Sequence, residues 1–148
     1  MQTWTTTLPL ISDNLFLTDI FTEDTLFFDI ETTGFSPANT QLYLIGCAKR
    51  QGETIILTQF FSDSKEDEIL ILSDFLKLLE SHKTMITFNG TGFDIPYLKA
   101  KCDTHHLTEG FLQKDSIDLF KIASSLKFLL KLPNYKQKSI EVFLGIER

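Results

Sequence analysis

Hydrophobic and polar positions recur along this chain in patterns that predict most of its elements. Leu26 to Ile30 is an apolar run that Asp29 interrupts and Glu31 follows, which predicts a buried strand over about 25–31. Pro37 and Asn39 mark a turn. Residues 41–49 and 53–61 are β-rich runs on either side of Arg50-Gln51-Gly52 and predict a hairpin. Ser64 and Asp67 have the spacing of a capping box. Beyond them Ile69, Leu72, Phe75, Leu76 and Leu79 repeat at helical intervals, which predicts an amphipathic helix over 65–81. Thr84 to Phe88 is a short strand, broken by Asn89-Gly90-Thr91-Gly92. A second helix is expected over about 93–103, then a strand near 115–118. A third helix is expected over 119–131, with Leu119, Ile122, Ala123, Leu126, Leu129 and Leu130 on its inner face. Pro133 ends it, and Ser139 to Leu144 opens one more helical piece that Gly145 interrupts or ends. Residues 1–23 are Thr-rich and weakly patterned; they are expected to be a lead-in with a short helix or turn, packed through Leu15, Phe16, Leu17 and Ile20.

The order β-β-β-α-β-α-β-α predicts an α/β fold. Its sheet is mixed, an antiparallel three-strand meander followed by parallel βα units, with helices flanking it. A chain of 148 residues without repeats, low-complexity tracts or linkers is expected to be one domain, 1–148. Ligands of such sheets gather at strand ends where the topology changes.

Two strand-end carboxylates change the picture. Positions i and i+2 of a strand share a face, so Asp29 and Glu31 stand side by side while Phe28 and Ile30 pack opposite. Two like charges at the end of a buried strand repel, and a hard divalent cation with oxygen ligands, Mg²⁺ or Mn²⁺, relieves them. Thr32, Thr33 and Gly34 then turn the chain and offer backbone N–H groups close to that site. A third carboxylate, Asp94, follows the glycine-rich loop. Read as a cap, Thr91 and Asp94 are an N-cap and N3 pair. That places Pro96 deep in the helix, where its ring and missing N–H are costly. A helix beginning near Phe93 puts Pro96 in the first turn and leaves Asp94 free to point at the sheet.

Charge is uneven. The net charge of −6 argues against a polyanion partner. Residues 1–98 hold 5 Lys/Arg and 14 Asp/Glu, a balance of −9, and residues 99–148 hold 9 and 6, a balance of +3. A lysine-bearing C-terminal third beside an acidic site is compatible with a polyanion gripped on one side and metal held on the other, although solvated helix faces account for any single lysine equally well. Cys47 and Cys102 give neither a disulfide framework nor zinc spacing, so reduced thiols and a cytoplasmic location are expected. No secretory signal and no membrane-spanning apolar run is visible, so no membrane partner is expected.

Phe28-Asp29-Ile30-Glu31-Thr32-Thr33-Gly34 resembles the first motif of the DEDD 3′–5′ exonucleases of the ribonuclease H-like superfamily. Thr87-Phe88-Asn89-Gly90 with Phe93-Asp94-Ile95-Pro96-Tyr97-Leu98 resembles their second. Tyr43-Leu44-Ile45-Gly46, Gln59-Phe60-Phe61, Asp67-Glu68 and Leu144-Gly145-Ile146-Glu147-Arg148 are similar to a bacterial family of predicted ribonuclease H-like exonucleases. The resemblance covers about 25–148 and implies a two-metal nuclease acting on a single-stranded 3′ end. In it Asp29 bridges two Mg²⁺ or Mn²⁺ ions, Glu31 and Asp94 each complete one side, and Phe35 and Phe93 flank the terminal base. Asn89 contacts the terminal nucleotide or merely turns its loop. That family carries a third motif, a Tyr or His several residues before a fourth metal-binding Asp, on a last helix. The sequence stops at Arg148 before such a helix, so a chain lacking that motif is expected. Asp118 matches an aspartate before the family's third helix and is read as an N-cap or a group supporting the ligands. His82, His105 and His106 match no motif position. Two other readings stay open: a non-catalytic nucleic-acid-binding module of this fold, and an endonuclease.

Overall fold

The computed structural model describes residues 1–11 and 19–146. Six strands form one sheet: β1 Gln2–Pro9, β2 Thr25–Thr32, β3 Leu42–Gln51, β4 Thr54–Phe61, β5 Thr84–Thr87 and β6 Asp115–Asp118. Across the sheet they run β1-β4-β3-β2-β5-β6. The β1/β4, β4/β3 and β3/β2 pairs are antiparallel, whereas β2/β5 and β5/β6 are parallel. This is the expected meander with βα units attached. Among the described residues the helices are α1 Glu68–Glu80, α2 Asp94–Thr104, α3 Leu119–Ser125, α4 Lys127–Leu130 and α5 Gln137–Phe143, the first two between strands and the rest after β6.

Period-two alternation builds the core. Leu26, Phe28 and Ile30 of β2 are buried on one face of the sheet, with Ile45, Cys47 and Phe60 from its neighbours. Helix α1 lays Ile71, Leu72, Phe75, Leu76 and Leu79 onto that face, and the Phe28 and Phe75 rings meet edge to face at 5.0 Å. Tyr97, Leu98 and Cys102 of α2 complete it. Both cysteines are free and buried, as small apolar groups.

The sequence pattern misled in three places. The N-terminal lead-in contains β1, which adds an antiparallel edge strand beside β4. Its apolar residues, Trp4 and Leu8, are too sparse to register as a strand, although threonine favours one. Leu15, Phe16 and Leu17 lie outside the described residues; Ile20 is exposed, and Phe21 is the buried anchor instead, edge to face with Phe27. Ser64 makes no cap bond, and a 3₁₀ turn over Lys65–Asp67 precedes α1. The expected third helix is two short ones, broken at Leu126 and ended by Lys131 in a left-handed conformation. Of its expected inner face only Ala123 is buried. Leu119, Ile122, Leu126 and Leu130 border an open groove of about 890 Å³ on the sheet's second face, opposite Phe27, Ala48 and Trp4.

One buried ionic cluster ties α1, α2 and the β2–β3 loop together. Glu68 and Lys101, each about 5% exposed or less, pair at 3.0 Å. The Leu42 N–H donates to Glu68 at 2.7 Å, His105 Nε2 lies 2.9 Å from Glu68, and Lys101 donates to the Thr40 carbonyl at 2.5 Å. Burial opposes the charge on Glu68, but these bonds outweigh it and hold its carboxyl below the usual range. Lys101→Met is expected to lower the free energy of unfolding by about 3–5 kcal/mol, since a buried carboxylate loses its main partner. Glu68→Gln added to it should recover part of that loss in a urea titration.

Candidate active site

Asp29 stands on the second face of β2, opposite Gly46 of β3, whose missing side chain leaves the carboxylate open to solvent. On the other side of β2, the parallel pairing with β5 ends at Phe27–Ile86 while β2 runs on to Thr32. The Asp94 carboxylate takes the Ile30 N–H there at 3.1 Å, where no strand pairs with β2. Asp94 is the first residue of α2, with Phe93 as the residue before it and Pro96 in the first turn, as expected. It is 4% exposed, and its carboxyl lies within hydrogen-bonding reach of Asp29. Burial, then the Asp29 charge, push Asp94 up to about 6 against the help of the Ile30 N–H.

A cleft of about 560 Å³ opens over this pair. Its walls are Asn89, Gly92 and Phe93 from the loop before α2, Phe88 and Phe120, and Lys136 and Gln137 at the start of α5. The loop is tightly built. Asn89 has a positive φ of 62°, which asparagine tolerates. A Cβ at Gly90 would come within 2.3 Å of Thr87 Oγ1, so only glycine fits. Asp118 clamps the loop from below: it accepts from the Asn89 N–H at 2.8 Å, from the Thr91 hydroxyl at 2.6 Å and from the Phe120 N–H at 3.0 Å. It is the N-cap of α3 as well as the loop's support. Burial works against its charge, but the bonds from Thr91, Asn89 and Phe120 hold it below the usual carboxylate range.

The remaining sequence candidates separate. Phe35 lines the cleft 90% exposed, its ring edge to face with Phe93 at 5.9 Å. Glu31 is exposed on the same face of β2 as Asp29 but does not border the cleft; the strand bulges between Glu31 and Thr32. Among the described residues no three His, Cys, Asp or Glu side chains cluster as metal ligands do. Thr32, Thr33 and Gly34 are absent from the cleft walls. The Thr33 N–H donates to the Gln41 carbonyl, the Thr33 hydroxyl accepts from the Gln41 N–H, and the Thr32 hydroxyl donates to the Gly34 carbonyl. These residues close their own loop. Of the histidines, His105 serves Glu68 and His82 bonds the Leu78 carbonyl at 2.8 Å. Lys136 and Gln137 were not singled out by motif; their one signal was the basic C-terminal third.

Asp29 and Asp94 are two adjacent carboxylates, and burial together with the Asp29 charge outweighs the main-chain N–H groups that serve Asp94. That donor set suits a hard divalent cation, since Mg²⁺ is commonly held by one or two carboxylates with water and phosphate oxygens filling its octahedron. It would supply part of the coordination of one such ion.

The model of the RNase_H superfamily matches residues 26–148, and the chain belongs to that superfamily. Solved structures share its fold. The family B DNA polymerase from the hyperthermophilic archaeon Pyrobaculum calidifontis superposes with a TM-score of 0.68 and 15% identity over 84% of this chain and 18% of that one. E. coli Exonuclease I in complex with a dT13 oligonucleotide gives 0.63 and 15%, over 83% and 36%. The zinc-bound form of an E. coli ExoI–ssDNA complex gives 0.60 and 14%, over 83% and 35%. The chain thus spans little more than a third of these proteins at most, and the likeness at such identities is one of fold. No curated protein matches it. Among the described residues no helix is long and apolar enough to cross a membrane.

Because Asp94 carries a pKa of about 6 in place of 3.8, it binds its proton more tightly when folded. Its contribution to stability is full below pH 3.8 and is lost as the pH rises through 6. With chelator present, Asp94→Asn should therefore be more stable than wild type at neutral pH by roughly 2–3 kcal/mol, with the gap closing near pH 4. Denaturant midpoints at the two pH values measure this.

Proposed function

We propose that this chain is a metal-dependent nuclease domain of the 3′–5′ exonuclease type, hydrolysing phosphodiester bonds at a single-stranded 3′ end. The observation that carries the reading is the close Asp29–Asp94 carboxylate pair, with Asp94 buried and pushed up to about 6, at the floor of an aromatic-walled cleft. Asp29 and Asp94 would hold Mg²⁺ or Mn²⁺, with Glu31 the remaining candidate ligand for a second ion. Such ions, when bound, lower the pKa of water and stabilise a leaving oxygen. Around them the chain's own residues position substrate. The exposed Phe35 ring, braced by Phe93, offers a face for a terminal base. Asn89, fixed by Asp118, presents its side chain at the cleft wall. Lys136 lines the cleft and makes no ion pair among the described residues, which leaves its ammonium to a backbone phosphate.

Incubation with a 3′-labelled single-stranded oligonucleotide and Mg²⁺ or Mn²⁺ tests this. Wild type should release label, and Asp29→Asn should release it at least about a hundredfold more slowly and bind Mn²⁺ far more weakly by calorimetry. Lys136→Ala should lower the log-affinity versus log-salt slope by about one, the signature of one lost phosphate contact. A specific observation favours a second reading, a nucleic-acid-binding module without catalysis: among the described residues only two carboxylates, and no histidine or tyrosine, line the cleft. Oligonucleotide binding without release of label would establish that reading in place of the first. Opening of a circular strand would instead mark an endonuclease.

A further inference from the structure

Strand β1 is an exposed edge whose only device against further pairing, among the described residues, is the proline at its end. It is eight residues long, Gln-Thr-Trp-Thr-Thr-Thr-Leu-Pro, with no charged side chain, and all eight residues are exposed. Natural sheets blunt such edges with lysine, bulges, short strands or a covering segment, because free N–H and C=O groups recruit another strand.

Which groups are free follows from the register. The Leu10 N–H donates to the Glu53 carbonyl, and β1 pairs with β4 in continuous antiparallel register from there to Gln2–Phe61. In an antiparallel ladder, successive residues turn their main-chain groups to opposite neighbours. Leu8, Thr6, Trp4 and Gln2 therefore bond β4, while Thr3, Thr5 and Thr7 point their N–H and C=O groups outward. The hairpin at Gly52 agrees, since it commits Thr54, Ile56 and Thr58 to β3 and leaves Ile55, Leu57 and Gln59 for β1.

We propose that β1 pairs antiparallel with β1 of a second copy of this chain, about a two-fold axis through Thr5, joining the two six-stranded sheets into one. Thr5 faces the partner's Thr5, and Thr3 faces the partner's Thr7. Each copy donates from three threonine N–H groups and accepts at three carbonyls. This register centres the outward threonines of the two copies on one another and leaves Pro9, which has no N–H, outside the three pairs.

Self-pairing also covers what a single copy leaves bare. Trp4 lies on the open-groove face, 46% exposed, against Phe61 at 5.7 Å. In this register Trp4 lies diagonal to the partner's Trp4, within reach of large rings, and the two apolar grooves run together across the axis. A neutral, threonine-repeating edge is complementary to itself, which singles out the second copy as occupant.

The chain has one tryptophan, so its emission reports on this edge alone. Sedimentation velocity and Trp4 fluorescence, run on wild type across a wide range of concentration, should show a monomer passing to a dimer with a parallel blue shift. Thr5→Pro removes the outward N–H at the axis and no bond to β4. It should stay monomeric with unshifted emission and keep the dilute wild-type denaturation midpoint. Thr5→Lys, which sets two like charges face to face, should behave the same and stands in if the proline variant misfolds. Wild type that remains monomeric at high concentration, or a dimer that survives both substitutions, overturns the pairing.

Discussion

Two carboxylates held close together, one of them almost fully buried, are the constraint to which the rest of this molecule answers. Asp94 sits almost fully buried where β2 outruns β5. Its nearest charged neighbour is another acid. The contrast with Glu68 is instructive, because the two side chains are equally buried. Glu68 receives a lysine, a histidine and a main-chain N–H, and its charge is fully compensated from within. Asp94 receives only main-chain N–H groups, from Ile30 and from itself, and lies beside the Asp29 charge. A fold that neutralises Glu68 from within and sets Asp94 beside another acid is what the proposed cation-binding role of this pair would use.

The support of that site lies one layer behind it. Asp118 closes β6, caps α3 and grips the loop that carries Asn89, so three elements share one carboxylate. Gly90 allows the loop to rest directly on Thr87, whose hydroxyl is buried there without a hydrogen-bond partner. On the far side, Thr40 links the β2–β3 loop to Tyr97 and Lys101 of α2. The strand that bears Asp29 and the helix that bears Asp94 are thereby tied at both ends of the cleft. Rigid placement of this kind matters because two like charges held near each other move apart unless their backbones are fixed.

The sheet is asymmetric. One face is filled by α1 and α2 and contains nearly all the large buried side chains. The other carries Asp29, an apolar groove and the half-bare leucines and isoleucine of α3 and its successor. The carboxylate of Asp29 therefore lies on the face where packing is incomplete, and the structural ionic cluster on the face where it is not.

Much of this was legible from residue order. Alternation gave β2 its two faces, helical spacing gave α1, and Pro96 fixed where α2 begins, because each depends on neighbours within a few residues. The glycine-rich loop before Asp94 and the capping role of Asp118 were legible for the same reason. Other features depended on distant partners. β1 is a strand because β4 offers it an edge, not because its own pattern demands one. The expected inner face of the third helix is half bare because no described residue packs fully over it. Thr32 and Thr33 spend their groups on Gln41 and on their own turn, and Glu31 stays out of the cleft next to a strand irregularity. What the sequence determined by itself was which residues carry charge and which way each strand and helix turns them. Only the tertiary structure decided which charges meet, because that depends on where strands of unequal length stop beside one another.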